Sequence, residues 1–331
     1  MSGAGHALHR LAAAGGLSLA LGSTLAEPLS PQDAMAELQR IARAAHDLGY
    51  SGTLVYQRGA HTETSRITHF VERGEEQEKL EFLDGPRREV IRTNDEVVCY
   101  YPDVKLIKIA RRTPQPSFPA LLPEQLGSLT GFYQVIKVEQ ERIAGYDTQA
   151  LVLEPKDDLR YGHKLWTELN SGLLLKMRTM NERRQMVEQI AFTQLTIGGV
   201  TREQVRPSFS SPGPEWRREA PFSQLPGSVA SGWAVDNQPA GFRKVMEVRR
   251  MKQGGGGPVA HLVFSDGLAA VSVFIEPLAS GQDVSEGPSR RGAINVYTRS
   301  VADQLVTVLG EAPPATVMQI AKSVSYRGSS K

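Results

Sequence analysis

Cysteine is nearly absent from this chain, which contains only Cys99 among its 331 residues. A single cysteine cannot form an intramolecular disulfide, so the fold has to be stable without one. Cys99 falls within an apolar run that we interpret as a strand, and this position predicts a buried free thiol. A reactive thiol needs a neighbouring base, and no basic residue stands beside Cys99 in the sequence.

The chain also lacks an excess of either charge sign and, after residue 26, any long apolar run. Its formal net charge is +2, which argues against a nucleic-acid partner. A content of 40% hydrophobic and 22% charged residues is typical of a globular protein rather than a disordered one. No later apolar run is long enough to span a bilayer as a helix, so we expect a soluble mature protein.

The first 26 residues have the pattern of a secretory signal peptide. Arg10 precedes a small apolar run at residues 11–21, and cleavage near Ala26 fits the small residues there. The run is too short for a permanent anchor. No cysteine follows it, so we expect an exported protein that is not lipid-anchored.

Motifs of catalytic, nucleotide-binding and metal sites are missing as well. There is no nucleophile elbow, Walker loop or dinucleotide fingerprint. The histidines after residue 26 are not paired at the spacing of metal ligands; they are His46, His61, His69, His163 and His261. Asp157 and Asp158 form a carboxylate pair in a predicted turn, without the apolar surroundings that a general acid needs. We therefore predict no enzyme, no metal and no cofactor.

What the sequence does contain is a steady alternation of short apolar runs and polar turns from residue 52 to residue 103. The runs are rich in Val, Ile, Phe and Tyr, and the turns in Gly, Asn, Asp and Pro, which indicates β-strands. The turns are too short for crossover helices, so neighbouring strands should pair antiparallel as a meander. Further runs reach residue 197 and give about ten strands, enough for a strongly curved sheet.

Two segments are predicted to cover this sheet. Residues 30–49 form an amphipathic helix that begins with Ser30, Pro31 and Asp33 in a capping pattern and stops at Gly49. Residues 113–132 hold four prolines and many apolar residues in a predicted loop. Such a loop either forms a lid over a cleft between helix and sheet or simply closes the core.

The chain divides into two predicted domains after the signal peptide. A large domain covers residues 27–206, a Pro-rich linker covers 207–226, and a small α+β domain covers 227–331 with four or five strands and a C-terminal helix. The glycine run at residues 254–257 is followed by a strand rather than a helix. It is therefore predicted to be a hairpin tip and not a phosphate-binding loop.

Two sets of side chains are candidates for binding. Apolar strand and lid positions predict a lipid pocket made of Leu54, Tyr56, Phe70, Leu80, Phe82, Leu121, Leu122 and Trp166. A one-residue shift of register would place the opposite face in that pocket. Clustered arginines predict contacts to an anionic partner, with ordinary solvated surface as the alternative; they are Arg87, Arg88, Arg92, Arg243, Arg249 and Arg250.

Several segments resemble the MucB/RseB family of periplasmic regulators of the envelope-stress sigma factor. They include LDGPRREVIR and NDEVVCY in the first domain, then ERIAGY, RYGHKLW and GLLLK, and HLVFSDGLA, VSVFIE and LVTVLGE in the second. The resemblance runs in order through nearly all of the chain after the signal peptide. A longer glycine-rich tip at residues 254–257 departs from the family pattern.

The resemblance implies a periplasmic protein whose large domain is similar to the lipoprotein carriers LolA and LolB. It implies that both domains contact the periplasmic segment of a membrane anti-sigma factor of the MucA/RseA type and shield it from regulated proteolysis. Lipopolysaccharide or mislocalised lipoprotein is the expected releasing signal, with acyl chains in the predicted pocket. A periplasmic lipid or lipoprotein carrier is the alternative function, and homodimer formation stays open.

Overall fold

The computed structural model describes residues 26–94, 96–111, 117–123, 126–209, 213–219, 231–251, 257–278 and 284–328. The predicted signal peptide lies outside these residues apart from Ala26, and so does most of the predicted glycine-rich tip. None of the helices in the described ranges is long and apolar enough to cross a membrane.

The N-terminal part of the chain folds into one curved sheet, to which the described residues contribute thirteen strands. Its helices and strands follow in the order β1 (Glu27–Pro28), α1 (Pro31–Asp47), β2 (Tyr50–Arg58), β3 (His61–Glu72), β4 (Glu75–Phe82), β5 (Arg88–Arg92), β6 (Glu96–Tyr101), β7 (Leu106–Arg111), α2 (Gly127–Phe132), β8 (Tyr133–Ile143), β9 (Tyr146–Pro155), β10 (Gly162–Glu168), β11 (Leu174–Met180), β12 (Met186–Ile197) and β13 (Arg217–Glu219).

The strands pair in the order β1-β8-β9-β10-β11-β12-β2-β3-β4-β5-β6-β7-β13. All neighbours are antiparallel except β13, which runs parallel to β7. The predicted meander is therefore confirmed, with β12 returning to pair with β2 in the middle of the sheet. The predicted strand at residues 104–110 starts later, because Lys105 has a left-handed backbone after a short 3₁₀ helix, Pro102–Val104.

Helix α1 begins as the sequence predicts. The Ser30 side chain accepts a hydrogen bond from the Asp33 backbone N–H at 3.1 Å and so satisfies one of the free donors of the first turn. The prediction for its end was wrong: Leu48 takes an extended conformation there, and Gly49 is not in the left-handed region. The helix ends because the chain turns directly into β2 after Leu48.

Helix α1 packs on one side of the sheet, which we call the helix-covered face. Leu38 and Ile41 of the helix are fully buried against strand residues. The strand residues of this core include Leu54, Ile67, Leu151, Leu153, Leu165, Met177 and Phe192. Because strand side chains alternate between two faces, the residues paired with these core residues, and every second residue from them, also lie on the helix-covered face.

The segment predicted as lid or loop also belongs to this core. Its described residues are 117–123 and 126–132, and the last six of them form α2. Phe118, Leu122 and Leu129 are buried in the same cluster as α1 and the strands. The segment therefore closes the core in this conformation, and movement as a lid stays a prediction.

The opposite side, which we call the outer face, is covered near β3 to β7 by the chain that follows β12. Val205, in a 3₁₀ helix at Arg202–Val205, is fully buried there. Lys79 lies 3.3 Å from Glu89 in a buried ion pair, and Ser208 bonds to both side chains. Aromatic contacts then join Tyr100, Phe209 and Trp216, so this part of the Pro-rich segment docks on the sheet.

The C-terminal part forms a second sheet with its own core. Its elements are β14 (Trp233–Val235), β15 (Arg243–Met251), β16 (Pro258–Ser265), β17 (Ala270–Pro277), β18 (Gly287–Arg291), β19 (Ile294–Val301), β20 (Gln304–Gly310), α3 (Pro314–Lys322) and β21 (Val324–Tyr326). In the described ranges, six strands pair in the order β15-β16-β17-β20-β19-β18, and β14 pairs with β21 separately.

The strand count predicted for this part was too low, because β18 has no strand signal in its sequence. The strand reads GPSRR and contains no Val, Ile, Phe or Tyr, so no alternating pattern marks it. An edge strand with exposed side chains needs no such pattern. Helix α3, predicted from the apolar spacing of Val317, Ile320, Ala321 and Val324, is confirmed and buries the first three. It ends at Lys322, so Val324 lies in β21 instead.

Candidate partner-binding site

The helix-covered face is filled in its middle but half open across β4, β5, β6 and β7. The register places Leu80 opposite Val90, and Val90 opposite Cys99. Val90 is buried, whereas Leu80 and Cys99 are half exposed. This stretch therefore forms a shallow apolar floor beside α1, which we call the open groove.

Three cationic side chains stand along the open groove. Arg88 is opposite Phe82, and its guanidinium carbon lies 3.4 Å from the centre of the Phe82 ring. Arg92 pairs with Glu78 on the neighbouring strand, and Lys108 is opposite Cys99. An apolar floor with cations along it is the chemistry that an amphiphilic anion requires.

The charges that act on the Cys99 thiol show which cations lie near the open groove. Burial raises its pKa, while the charges of Arg92, Arg88 and Lys108 each act to lower it. The three cations therefore share one local field. The predicted buried thiol was wrong in one respect, because Cys99 is half exposed to the groove. Its raised pKa keeps it a neutral thiol at neutral pH.

One end of the open groove meets the end of α1. Glu76 of β4 accepts a hydrogen bond from His46 Nδ1 at 3.0 Å and lies 3.8 Å from His69 Nε2. These hydrogen bonds hold the pKa of the Glu76 carboxyl well below its usual range. The His69 ring stacks on Tyr50 at 4.7 Å between ring centres. The cluster ties α1 to β3 and β4.

The other part of the helix-covered face is closed by the second sheet. Arg160, whose side chain is fully buried, donates to Asp266 Oδ2 at 3.1 Å and to the carbonyl of Ala240 at 2.6 Å. The Tyr133 hydroxyl donates to the same Asp266 oxygen at 3.1 Å. A buried Arg–Asp pair with every bond satisfied orients the two sheets relative to each other.

A second polar cluster lies beside this contact. The Tyr56 hydroxyl donates to Glu188 at 2.8 Å, and Arg58 pairs with Glu311 of the second sheet. Burial and the Glu311 charge both raise the pKa of Glu188. His163 is fully buried, and burial lowers its pKa to about 4 although the nearby Asp266 charge acts to raise it.

The structure brings some of the predicted pocket residues together and separates others. Leu54 and Leu122 are buried in the main core, with Leu80 and Leu121 packed against it. Phe82 lies on the same face, in the open groove. These five residues share one side of the sheet, as the pocket prediction requires, although here they line a filled core and its open margin.

The other three predicted pocket residues lie elsewhere. Tyr56 is on the helix-covered face but belongs to the polar cluster, where its hydroxyl donates to Glu188 of β12. Phe70 and Trp166 are on the outer face, where Arg202 lies 5.3 Å from the Phe70 ring centre and Lys176 lies 4.5 Å from Trp166. A strand alternates with period 2, and Phe70 and Trp166 each lie one position away from the residues that face α1. Trp166 is buried all the same, on the outer face.

The predicted arginine clusters are separated in the same way. Arg88 and Arg92 face the open groove, whereas Arg87 precedes β5 and pairs with Asp103 at 2.9 Å. Arg243 and Arg249 lie on β15, the edge strand of the second sheet. The Arg250 side chain lies outside the described part of the chain. The arginines of the first sheet and those of the second therefore lie on different strands and do not form one surface.

The residues that join the two sheets were not predicted. Arg160 and Asp266 lie in turn-like sequence, 106 positions apart, and neither position shows a pattern of burial. A cation and a carboxylate within turns are normally solvated, so only their packing in three dimensions identifies them. Local sequence patterns contain no signal that would have paired them.

Comparison with known proteins gives the family. The model of the MucB/RseB N-terminal domain matches residues 33–209, and that of the MucB/RseB C-terminal domain matches residues 227–325. Sigma factor AlgU regulatory protein MucB from Pseudomonas aeruginosa is 34% identical over 315 residues, which are 93% of this chain and 96% of that protein. Sigma-E factor regulatory protein RseB from Escherichia coli K12 is 25% identical over 94% of this chain and 96% of that protein.

Solved structures agree with these matches. A crystal structure of MucB in complex with MucA(peri) is similar with a TM-score of 0.70 and 30% identity, covering 90% of this chain and 100% of that chain. The complex of Pseudomonas aeruginosa MucA and MucB has a TM-score of 0.72 with the same identity and coverage. With family models matching both parts, and a relative above 30% identity along nearly all of its length, the chain belongs to the MucB/RseB family.

Proposed function

We propose that this chain is a non-catalytic periplasmic regulator that binds the periplasmic segment of a membrane anti-sigma factor and shields it from regulated proteolysis. The observation that carries the proposal is the similarity to MucB, which was solved with MucA(peri), over 90% of this chain and both of its sheets. A lipid carrier would require only a ligand cavity, whereas this chain keeps a second sheet joined to the first through Arg160 and Asp266.

Release of the partner is proposed to follow binding of an amphiphilic anion such as lipopolysaccharide or a lipoprotein. The cations Arg88, Arg92 and Lys108 are suited to phosphate or carboxylate groups at the open groove. The acyl chains would then have to displace residues 117–123 and 126–132 from the core. Burial of an acyl chain contributes about 0.8 kcal/mol per CH₂. A ligand of this kind shifts the protein toward the conformation that it binds better.

The experiment uses purified residues 27–331 and the periplasmic segment of the anti-sigma factor from the same organism. Binding is measured by calorimetry with and without lipopolysaccharide. Tight binding that lipopolysaccharide weakens supports both the regulator and its release. Tight binding that lipopolysaccharide leaves unchanged supports the regulator and contradicts this releasing signal. Lipid binding without any binding of the segment contradicts the regulator and favours the carrier.

A further inference from the structure

The outer edge of β18 is unpaired. Strand β18 hydrogen-bonds only to β19, and in the described ranges no strand lies on its other side. Pro288, Ser289, Arg290 and Arg291 are all exposed along it. A strand edge of this kind presents backbone donors and acceptors that can pair with an added strand.

A cavity of about 280 Å³ adjoins this edge. Helix α3 packs over β19 and β20, and the notch lies where its cover ends beside β18. The lining residues are Pro288, Ser289, Arg290, Asn295, Val296, Tyr297, Pro314 and Val317. The register pairs Pro288 with Tyr297 and Arg290 with Asn295, so alternate β18 residues share a face with this notch. Its lining is mostly apolar and provides room for a large side chain.

The mouth of the notch is positively charged. Arg290 donates from Nε to the carbonyl of Gly292 at 2.7 Å, which leaves its Nη groups to solvent. Among the described residues no carboxylate lies within ion-pair distance of Arg290 or Arg291. A carboxylate brought to the notch face of this edge would therefore meet the Arg290 guanidinium, which pairs with no acid in the described chain. Arg291, the next residue along the strand, faces the other side.

The hairpin that carries this edge also contacts the N-terminal part of the chain. Asn295 donates to the Tyr161 hydroxyl at 3.1 Å, and Ala293 packs with Tyr161 and Val187. The hairpin between β18 and β19 thus contacts the N-terminal part of the chain directly. A segment lying along β18 would therefore run beside both sheets.

We propose that the β18 edge and its notch bind an extended acidic peptide segment. The segment adds as a further strand beside β18, places one apolar side chain in the notch and sets a carboxylate against Arg290. The proposal rests on the proposed function, because the segment is taken to be part of the anti-sigma factor's periplasmic region. Arginines and a proline on the edge discourage pairing with a second copy of this chain, and this favours a partner of opposite charge.

Hydrogen exchange of residues 27–331 tests the strand addition directly. With the anti-sigma periplasmic segment bound, backbone amides of residues 289–291 should exchange more slowly than in the free protein. Binding of the segment with unchanged exchange at β18 overturns this site and leaves the proposed function standing. Absence of any binding overturns both. Protection that rises with protein concentration without the segment identifies a second copy as the occupant and also overturns the proposal.

A charge reversal provides the second measurement. Arg290→Glu should weaken binding of the same segment by about tenfold, because it removes a charge-assisted hydrogen bond and sets a carboxylate against the acidic segment. Arg183→Glu makes the same change in net charge at an exposed turn between β11 and β12 and should leave the Kd unchanged. Equal weakening by both variants points to long-range attraction and contradicts contact at Arg290.

Discussion

His163 shows how one buried side chain couples the packing of the two sheets to pH. Its ring is fully buried, bonds through Nδ1 to Thr179 at 3.2 Å and lies 6.0 Å from the Tyr133 ring. Burial lowers its pKa to about 4, and the nearby Asp266 charge only partly offsets this. The imidazole therefore stays neutral in the folded protein at pH values where an exposed histidine is charged.

The first prediction concerns acid stability. Between pH 6.5 and pH 4 the unfolded chain binds a proton at His163 that the folded chain does not, so the free energy of unfolding falls as the pH falls. The loss from this group is about 3 kcal/mol. In His163→Leu this loss should disappear, and urea unfolding at pH 7, 6, 5 and 4 measures it.

Glu188 acts in the opposite direction and has to be separated from His163. Its raised pKa means that the folded protein holds a proton there more strongly, so its contribution to stability is lost as the pH rises above the usual carboxyl range. Comparing His163→Leu with its parent at each pH cancels this contribution. An identical pH slope in both proteins would contradict the assignment to His163.

The second prediction tests the open groove with one charge. Phe82→Asp places a carboxylate on the apolar floor beside Arg88 and should abolish the effect of lipopolysaccharide on partner binding. Leu83→Asp is the matched control, because Leu83 is 45% exposed just after β4. It should leave the effect intact. The measurement is the calorimetric titration with and without lipid. A folded Phe82→Asp variant with a normal lipid response would show that the groove is not the lipid site.

At the scale of elements, the join between β2 and β12 determines how the meander closes. The pairing shifts by one residue between Phe192 and Gln194, which lie opposite Leu54 and Thr53, and Gly52 follows next, opposite Leu195. A Cβ atom on Gly52 would lie 2.8 Å from Phe192 Cδ1 and closer still to the Gln194 carbonyl oxygen. Glycine is required here because the backbone of the neighbouring strand occupies the space of a side chain.

The third prediction follows from this contact. Gly52→Ala should lower the free energy of unfolding by about 1–3 kcal/mol, as expected for an atom added where no space exists. Gly131→Ala in α2 is the control, since a Cβ atom there meets nothing within 4 Å. Urea denaturation compares the two variants. Equal stability of both would mean that the β2–β12 pairing relaxes without cost.

At the scale of the whole molecule, the buried pair of Arg160 and Asp266 holds the second sheet against the first. Arg160 also stacks near Phe132, at 4.4 Å from its ring centre, and Phe242, at 5.6 Å. Because the two sheets meet at a desolvated ion pair, their relative position depends on charge balance as well as on apolar contact.

The fourth prediction breaks that balance. Arg160→Met leaves the Asp266 carboxylate buried without its cation and should cost about 3–5 kcal/mol. The double variant Arg160→Met/Asp266→Asn should recover much of this loss, because no buried charge remains unpaired; Asp157, which also pairs with Arg160, is partly exposed. Arg184→Met removes an exposed pair with Glu154 and should cost less than about 1 kcal/mol. Urea unfolding and small-angle scattering measure stability and domain separation. A single variant as stable and compact as the parent would contradict a role for this pair in domain contact.

Local patterns in the sequence determined most of the elements. The meander follows from apolar runs and short turns, and α1 follows from Ser30, Asp33 and the spacing of Leu38 and Ile41. Both signals are local, since strand alternation, capping and helical periodicity act within a few residues. The resemblance to the MucB/RseB family was also carried by contiguous segments, and the family matches confirmed it.

Tertiary structure alone decided which face each strand buries and where the two sheets meet. Phe70 and Trp166 fit the composition of a pocket, but their positions in the register place them on the outer face. Arg160 and Asp266 come together across 106 residues, and β18 is a strand only because β19 pairs with it. Register, burial of polar groups and edge pairing depend on distant parts of the chain, and no local pattern contains that information.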